Sequence, residues 1–130
     1  MSYSSQAAAY REREVAAATP GRLLVMVYDH VLANLARATI AHENNLPEAR
    51  LEAVARARDG IAELMATLDF ERGGAIAVQL QGLYAFQLSE LATAGSRFDA
   101  LAVARVSAMI RELRDAFATV VDQTAKTTAA

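Results

Sequence analysis

The 130-residue sequence contains no cysteine and no tryptophan, and aromatic residues make up only 6% of it. Without cysteine the chain can form no disulfide, no iron–sulfur cluster and no thiolate–zinc site, and it has no thiol nucleophile. This composition agrees with a reducing compartment. The length suits a single domain that buries a sizeable core without cross-links or metal.

Long hydrophobic runs are also missing. The longest unbroken apolar run, from Leu23 to Tyr28, is far shorter than the roughly 20 residues that a membrane-spanning helix needs. The first six residues carry no basic segment followed by an apolar one, so they do not resemble a signal peptide. We therefore expect a soluble protein of the cytosol, without membrane insertion.

Charge of one sign is not in excess either. The chain has 13 basic and 15 acidic residues, for a net charge of −2. Acids and bases alternate, and Arg56 follows Glu52 by four residues, the spacing of an ion pair on a helix. Because nucleic-acid-binding domains usually carry a basic face, we expect no nucleic-acid partner.

Hydrophobic residues, by contrast, reach 54% of the chain, above the roughly 45–50% of ordinary domains. Much of this excess is alanine, which favours helix, and no segment alternates as a strand does. Turn-forming breaks separate four stretches of helical periodicity, which predict helices over residues 20–42, 47–68, 75–94 and 100–122. Long helices with short loops pack antiparallel, so the predicted fold is all-α, an up-down four-helix bundle.

The first helix has more apolar surface than one core face requires. Thr19 is its predicted N-cap and Pro20 its first residue. The inner stripe begins with Leu24, Val27 and Tyr28. Flanking residues, among them Val25 and Leu32, widen the apolar surface to roughly 200°, whereas a surface helix needs little more than about 100°. The surplus predicts an additional neighbour, which is either another part of the chain or a partner.

The predicted organisation has three parts: an N-terminal arm over residues 1–18, the bundle over 19–123, and a frayed tail over 124–130. Tyr10 and Val15 are the larger apolar residues near the end of the arm. Two interpretations of the arm stay open, a short helix packed on the bundle and a mobile binding element.

The residues that usually carry chemistry are sparse. His30 and His42 are the only histidines, and neither follows a Glu by three residues, as the di-iron sites of helical bundles require. Gly73-Gly74 lacks the spacing of a phosphate loop. We therefore predict no catalytic residue, no metal and no cofactor. An enzyme that uses inward arginine and glutamate has no support, because charged residues fall outside the apolar stripes.

The predicted third helix carries on one apolar, core-facing side Ile76, Leu80, Leu83, Tyr84, Leu88 and Leu91. Gln87 lies in the middle of this face. One interpretation is a hydrogen-bonded, partly buried amide near one end of the bundle. The other is an amide that bonds the backbone of a partner. Gly95, shortly after this helix, is predicted at the left-handed position that ends it.

Four motifs occur in the same order and at similar spacing as in the flagellar export chaperone family, FliS, which the chain resembles from about Tyr10 to Phe117. They are Tyr10-x4-Val15-x3-Thr19-Pro20, Leu23-Leu24-Val25-Met26-Val27-Tyr28-Asp29, Leu68-Asp69-Phe70-Glu71-Arg72-Gly73-Gly74-Ala75-Ile76-Ala77 and Leu83-Tyr84. This sequence departs from the family's usual residues at four positions: His30 for a small residue, Gln87 for a large apolar one, Gly95 for Asn, and Phe117 for Trp.

The resemblance implies a cytoplasmic helical bundle that is not an enzyme. It would bind the C-terminal segment of flagellin, disordered when free, in an apolar groove, prevent premature polymerisation, and present the client to the flagellar type III export gate. A co-chaperone or a translational regulator is a further partner to consider. The N-terminal arm would lie over part of the groove, a role that falls by position to Tyr10 and Val15, and would also dock with the export gate.

Combining the apolar surplus with the resemblance gives a set of candidate binding residues in the groove and arm: Tyr10, Val15, Leu24, Val25, Val27, Tyr28, Leu32, Tyr84 and Gln87. A second hypothesis from the residues alone is a self-associating regulatory or adaptor bundle that pairs through the wide face of helix one.

Overall fold

The computed structural model describes residue 6 and residues 19–129, with side chains up to residue 124. Four α-helices follow one another: α1 Pro20–Glu43, α2 Pro47–Ala66, α3 Phe70–Leu91 and α4 Ala100–Ala129. Each helix packs against its neighbours in the chain, and α4 returns to pack against α1. This closed ring of consecutive helices, with no strand among the described residues, confirms the predicted all-α bundle.

Side-chain caps begin three of the helices. The hydroxyl of Thr19 accepts the N–H of Arg22 at 3.2 Å, with Pro20 as the first residue of α1. The carboxylate of Asp99 accepts two amides at the start of α4. The Thr19 cap confirms the prediction from the sequence, and aspartate is likewise a favoured N-cap residue. Asp69 caps α3 in the same way, and because caps satisfy orphan amides, this helix begins earlier than predicted.

The segment before Ala75, predicted as a turn, is therefore the first turn of α3. Gly74 joins this turn to the rest of the helix with a φ of 50° and a ψ of −124°, which kinks the helix. A positive φ is readily adopted by glycine and is strained for other residues. The predicted start of the third helix at Ala75 is wrong, since the helix begins five residues earlier, at Phe70. The Asp69 cap on one side and the Gly74 kink on the other accommodate the additional residues.

The prediction that Gly95 ends the third helix in the left-handed conformation is wrong. That helix ends at Leu91, and Gly95 has no positive φ. A Cβ atom at Gly95 would lie 3.0 Å from Cδ2 of Leu51, and Nε of Arg50 donates to the Gly95 carbonyl at 3.1 Å. Glycine here permits close packing of the α3–α4 connection on the first turns of α2.

The fourth helix runs to Ala129, past its predicted end near Asp122. The predicted arm over residues 1–18 and the predicted fraying of residues 124–130 stay predictions. Tyr10 and Val15 lie outside the residues that the structure describes.

The core draws large buried side chains from all four helices. Among the most buried are Tyr28 and Leu35 of α1, Ile61 of α2, Tyr84 and Leu91 of α3, and Ile110 of α4. Ile76 and Leu83, predicted on the core face of the third helix, are instead 65% and 38% exposed. Apolar residues occur all round this helix, with no charged residue from Gly73 to Ser89, so periodicity could not single out its inner face.

By length and hydropathy alone, α1 could cross a membrane. The core helix of a soluble bundle meets the same criteria, and Tyr28, Val31 and Leu35 of α1 are buried within the bundle. These core contacts account for part of the apolar composition of α1.

Candidate protein-binding groove

Two adjoining apolar depressions lie at the end of the bundle where α1 begins, α2 ends and α3 begins. The first, of about 430 Å³, lies between α1 and α2. The second, of about 340 Å³, extends from there across the start of α3 to α4. They share Leu24, Leu64 and Thr67, so together they form one surface, called here the end groove.

The end groove is lined mainly by aliphatic side chains. In the first depression these are Leu23, Leu24 and Val27 of α1 with Leu64 of α2. In the second, Leu68, Ile76, Ala77 and Leu80 continue the apolar lining, and Tyr84 and Phe117 lie at its inner side. The charged residues that line it are Glu63, Asp69 and Arg72. Nε of Arg72 lies 3.8 Å from Oδ2 of Asp69, and both side chains are largely exposed. Their ion pair therefore contributes little to stability. Apolar contact therefore dominates what this surface can offer a ligand.

A pair of tyrosines supports the inner side of the groove. The hydroxyl groups of Tyr28 and Tyr84 hydrogen-bond to each other inside the core, and the ring of Phe117 stacks on Tyr28 with centroids 5.8 Å apart. This arrangement fixes α1, α3 and α4 relative to one another directly beneath the second depression. Burial raises the pKa of Tyr28, reinforced by the hydrogen bond and charge interaction with Tyr84. Burial likewise raises the pKa of Tyr84, so both hydroxyls stay neutral at ordinary pH.

The structure brings three of the predicted binding residues to the end groove: Leu24, Val27 and Tyr84. Leu24 and Val27 are partly exposed, whereas Tyr84 is almost fully buried. Tyr28 lies behind the groove, in the core.

Val25 is also buried. Along α1, Val25 comes four residues after Gly21 and three before Tyr28. A Cβ added at Gly21 would meet Val121 of α4, and the ring of Tyr28 stacks on Phe117 of the same helix. Helical spacing therefore turns Val25 toward α4. Leu32 is partly buried against the core cluster. The excess apolar surface of α1 predicted an additional neighbour for this helix. For Val25 that neighbour is α4 of the same chain.

Gln87 is fully buried, and neither atom of its amide has a hydrogen-bond partner among the described residues. The expectation of a partly buried and satisfied amide is wrong. Since Gln87 has no exposed surface here, it does not present its amide to a ligand in this conformation, and its role in binding stays a prediction.

Sequence reasoning missed several residues of the groove: Leu64, Leu68, Ile76, Leu80 and Phe117. Helical periodicity places Leu64 and Leu68 on the apolar stripe of the second helix and Phe117 on that of the fourth, so all three are expected in the core, as are Ile76 and Leu80 of the third helix. A usable signal did exist. In an up-down bundle the start of helix one, the end of helix two and the start of helix three share one end, and apolar residues cluster in all three.

An open apolar groove on a helical bundle is the kind of surface that can accept the apolar face of another protein's helix. The sequence matches the family described as "Flagellar protein FliS" over residues 3–124. The chain therefore belongs to the FliS family.

Individual relatives agree with this membership. The chain is 36% identical to the flagellar secretion chaperone FliS of Campylobacter jejuni over 86 residues, which are 66% of this chain and 67% of the relative. It is 34% identical to FliS of Salmonella typhimurium over 107 residues, 82% of this chain and 79% of the relative. With FliS of Bacillus subtilis the identity is 30% over 109 residues, 84% and 80% of the two chains.

Membership places the chain among the flagellar secretion chaperones, a non-catalytic kind of protein that acts in export during flagellum biogenesis. A secretion chaperone of the flagellum has a flagellar protein as its partner. The family and the helical bundle were both anticipated from the sequence, and both are confirmed.

Proposed function

We propose that this protein is a cytoplasmic export chaperone that binds the disordered C-terminal segment of flagellin, prevents its premature polymerisation and presents it to the flagellar type III export gate. The observation that carries the proposal is the end groove, an apolar surface of two joined depressions at one end of the bundle. The protein uses no cofactor and catalyses no reaction, since its task is to cover apolar client surface.

The chemistry of the groove supports a client of this kind. An amphipathic helix buries its apolar face in such a groove with anchors one turn apart. A client that is disordered when free loses conformational entropy on binding, so a large apolar contact is needed to compensate. The two depressions supply contact along α1, α2 and α3, rather than a single pocket for one side chain.

The position of Pro20 supports the role predicted for the arm that precedes it. Pro20, the first residue of α1, lines the first depression, so the arm connects to the bundle at the rim of the groove. We propose that Tyr10 and Val15 cover part of the groove until the client displaces them, because exposed apolar patches favour aggregation. The displaced arm is then available to dock with the export gate.

Co-purification with flagellin from the same organism tests the proposal. Full-length flagellin should form a one-to-one complex with this chain, whereas flagellin without its C-terminal segment should not. An equally tight complex with the truncated flagellin would contradict the proposed binding mode. Size-exclusion chromatography with light scattering reports the stoichiometry in the same experiment.

Self-association through the wide face of α1 has less support. Val25, Tyr28, Val31 and Leu35 of this helix are all buried within the bundle. What remains partly exposed at its start lines the end groove. Most of the apolar surplus at the start of α1 is thus divided between the core and the groove.

A further inference from the structure

A single glycine sets the direction of the first turn of α3. Gly74 has a φ of 50° and a ψ of −124°, a combination outside the helical region that residues with a Cβ atom rarely adopt. Nothing lies within 4 Å of the position where its Cβ would be, so close packing does not demand glycine here. The backbone conformation of the kink does.

The turn before the kink is an ordered element and not a frayed helix end. The carboxylate of Asp69 accepts the amides of Glu71 and Arg72, both at 3.1 Å. The amide of Gly73 donates to the carbonyl oxygen of Asp69 at 2.8 Å. These hydrogen bonds fix the shape of the turn, and Gly74 fixes its angle to the rest of α3.

The kink bends α3 toward the end groove. A Cβ atom at Gly73 would lie only 2.9 Å from Cβ of Ala77, whereas Cβ atoms four residues apart on a straight helix are separated by about 5–6 Å. Positions 73 and 77 therefore lie on the inner side of the bend. Both line the second depression of the end groove, so the α3 side of this depression is concave.

The concave part of α3 combines free space with apolar walls. Gly73 contributes no side chain and Ala77 only a methyl group, while Leu68, Ile76 and Leu80 line the same depression. These five residues are called here the α3 corner. Because apolar surface gains free energy when it leaves water, the corner suits a large apolar side chain of a ligand.

We propose that Gly74 is a positioning residue for client binding, because its kink shapes the α3 corner to receive one large apolar anchor of the bound segment. The inference rests on the proposed function, in which that segment is the C-terminal part of flagellin. It adds the part of the groove that takes an anchor and the residue that forms this part. Gly74 itself lines neither depression, so it acts through the direction of the helix and not through contact.

Gly74→Ala tests the role of the kink, and Gly82→Ala is the matched control. Gly82 lies on the same helix, is exposed and has no positive φ, so alanine there keeps the geometry of α3. Calorimetry with a peptide of the flagellin C-terminal segment should show about a tenfold to hundredfold loss of affinity for Gly74→Ala, the effect of no longer burying one large apolar side chain. Gly82→Ala should bind as the wild type does.

Alanine replacements along the peptide separate a lost anchor from general damage to the protein. In the wild type, replacing one large apolar residue of the peptide should weaken binding as much as Gly74→Ala does. Against Gly74→Ala the same replacement should have little further effect, whereas replacements of the other apolar residues should stay additive. Reduced stability alone would weaken the binding of every peptide by the same factor and show no such coupling.

A second variant and a measurement without client keep the inference testable if Gly74→Ala does not fold. Gly73→Ala keeps Gly74 but adds a methyl group inside the α3 corner, so it should lose affinity through the same anchor. In the NMR spectrum of the wild type, the α-protons of Gly73 should show a strong nuclear Overhauser effect to the methyl group of Ala77. In folded Gly74→Ala this effect should be weak, because a straight helix holds the two positions apart.

The outcomes distinguish this inference from the proposed function. A wild type that does not bind the peptide would contradict the proposed function and the inference with it. A wild type that binds, with Gly74→Ala and Gly73→Ala equal in affinity to Gly82→Ala, would overturn the inference alone. Losses that are additive with every peptide replacement would also overturn it, as would a wild type without the Overhauser effect between Gly73 and Ala77.

Discussion

The hydroxyl groups of Tyr28 and Tyr84 hydrogen-bond to each other in the core, across 56 residues of sequence. The bond joins α1 to α3, which are opposite members of the helical ring and do not follow each other in the chain. It lies behind the second depression of the end groove, to which Tyr84 contributes. A polar contact thus fixes the spacing of the two helices beneath an otherwise apolar binding surface.

The losses of unfolding free energy on replacing Tyr28 and Tyr84 singly should add up to more than the loss on replacing both together. Tyr28→Phe leaves the Tyr84 hydroxyl buried without its partner, at a cost of about 1–3 kcal/mol. The double variant Tyr28→Phe with Tyr84→Phe removes both polar groups, so its loss should be smaller than the sum of the single losses. Urea unfolding of the four proteins gives the coupling energy, and simple additivity would contradict the interaction.

The same pair should make the fold sensitive to alkali. Burial raises the pKa of both tyrosines in the folded state, whereas tyrosine in an unfolded chain titrates near about 10. Above that pH the unfolded chain loses protons that the folded chain retains, so stability is complete below about pH 10 and falls as the pH rises further. Unfolding free energy measured against pH should show this fall, and the double phenylalanine variant should show less of it.

A charge placed in the end groove should weaken client binding without harming the fold. Ile76 lines the groove and is 65% exposed, so Ile76→Glu should fold normally but place a carboxylate where the client buries apolar surface. Val120→Glu is the control, since Val120 is 57% exposed on α4 and does not line the groove. Calorimetry with a peptide of the flagellin C-terminal segment should show at least about a tenfold loss for Ile76→Glu alone. Equal affinities for the two variants would place the client elsewhere.

Removing the apolar side chains of the arm should uncover the groove. The combined variant Tyr10→Ala with Val15→Ala should increase the fluorescence of an apolar dye, because the groove then lacks its cover. The Ile76→Glu change, added to this variant, should reduce the increase if the dye reports the end groove. Unchanged dye binding in the arm variant would mean that the arm is not a cover.

Removing the unpartnered amide of Gln87 should stabilise the bundle. Both amide atoms are buried without a hydrogen-bond partner among the described residues, and methionine is an apolar side chain of similar size and flexibility. Gln87→Met should raise the free energy of unfolding by about 1–3 kcal/mol in urea titrations. Destabilisation would mean that the amide is satisfied in solution by an ordered water or a rearranged neighbour.

The sequence by itself determined the helices and their order. Breaks such as Thr19-Pro20 and Asn44–Pro47 act through local backbone chemistry, so helix one was located to within one residue of its end at Glu43. The four motifs, in the same order and at similar spacing as in the FliS family, also indicated the family from the sequence alone. Local rules were weaker at Asp69–Gly74, where a cap and a kink extended α3, and at Gly95, where close packing on Leu51 rather than backbone handedness explains the glycine.

Only the tertiary structure decided which apolar residues face the core, the groove or solvent. Helical periodicity gives the angle of each residue but not the direction of its neighbours, and α1 and α3 have apolar residues over most of their circumference. Thus Val25 is buried, Ile76 is exposed, and Gln87 is enclosed without a hydrogen-bond partner among the residues that the structure describes. The end groove combines residues from four helices that are distant in sequence, so it exists only when the bundle brings those helix ends together.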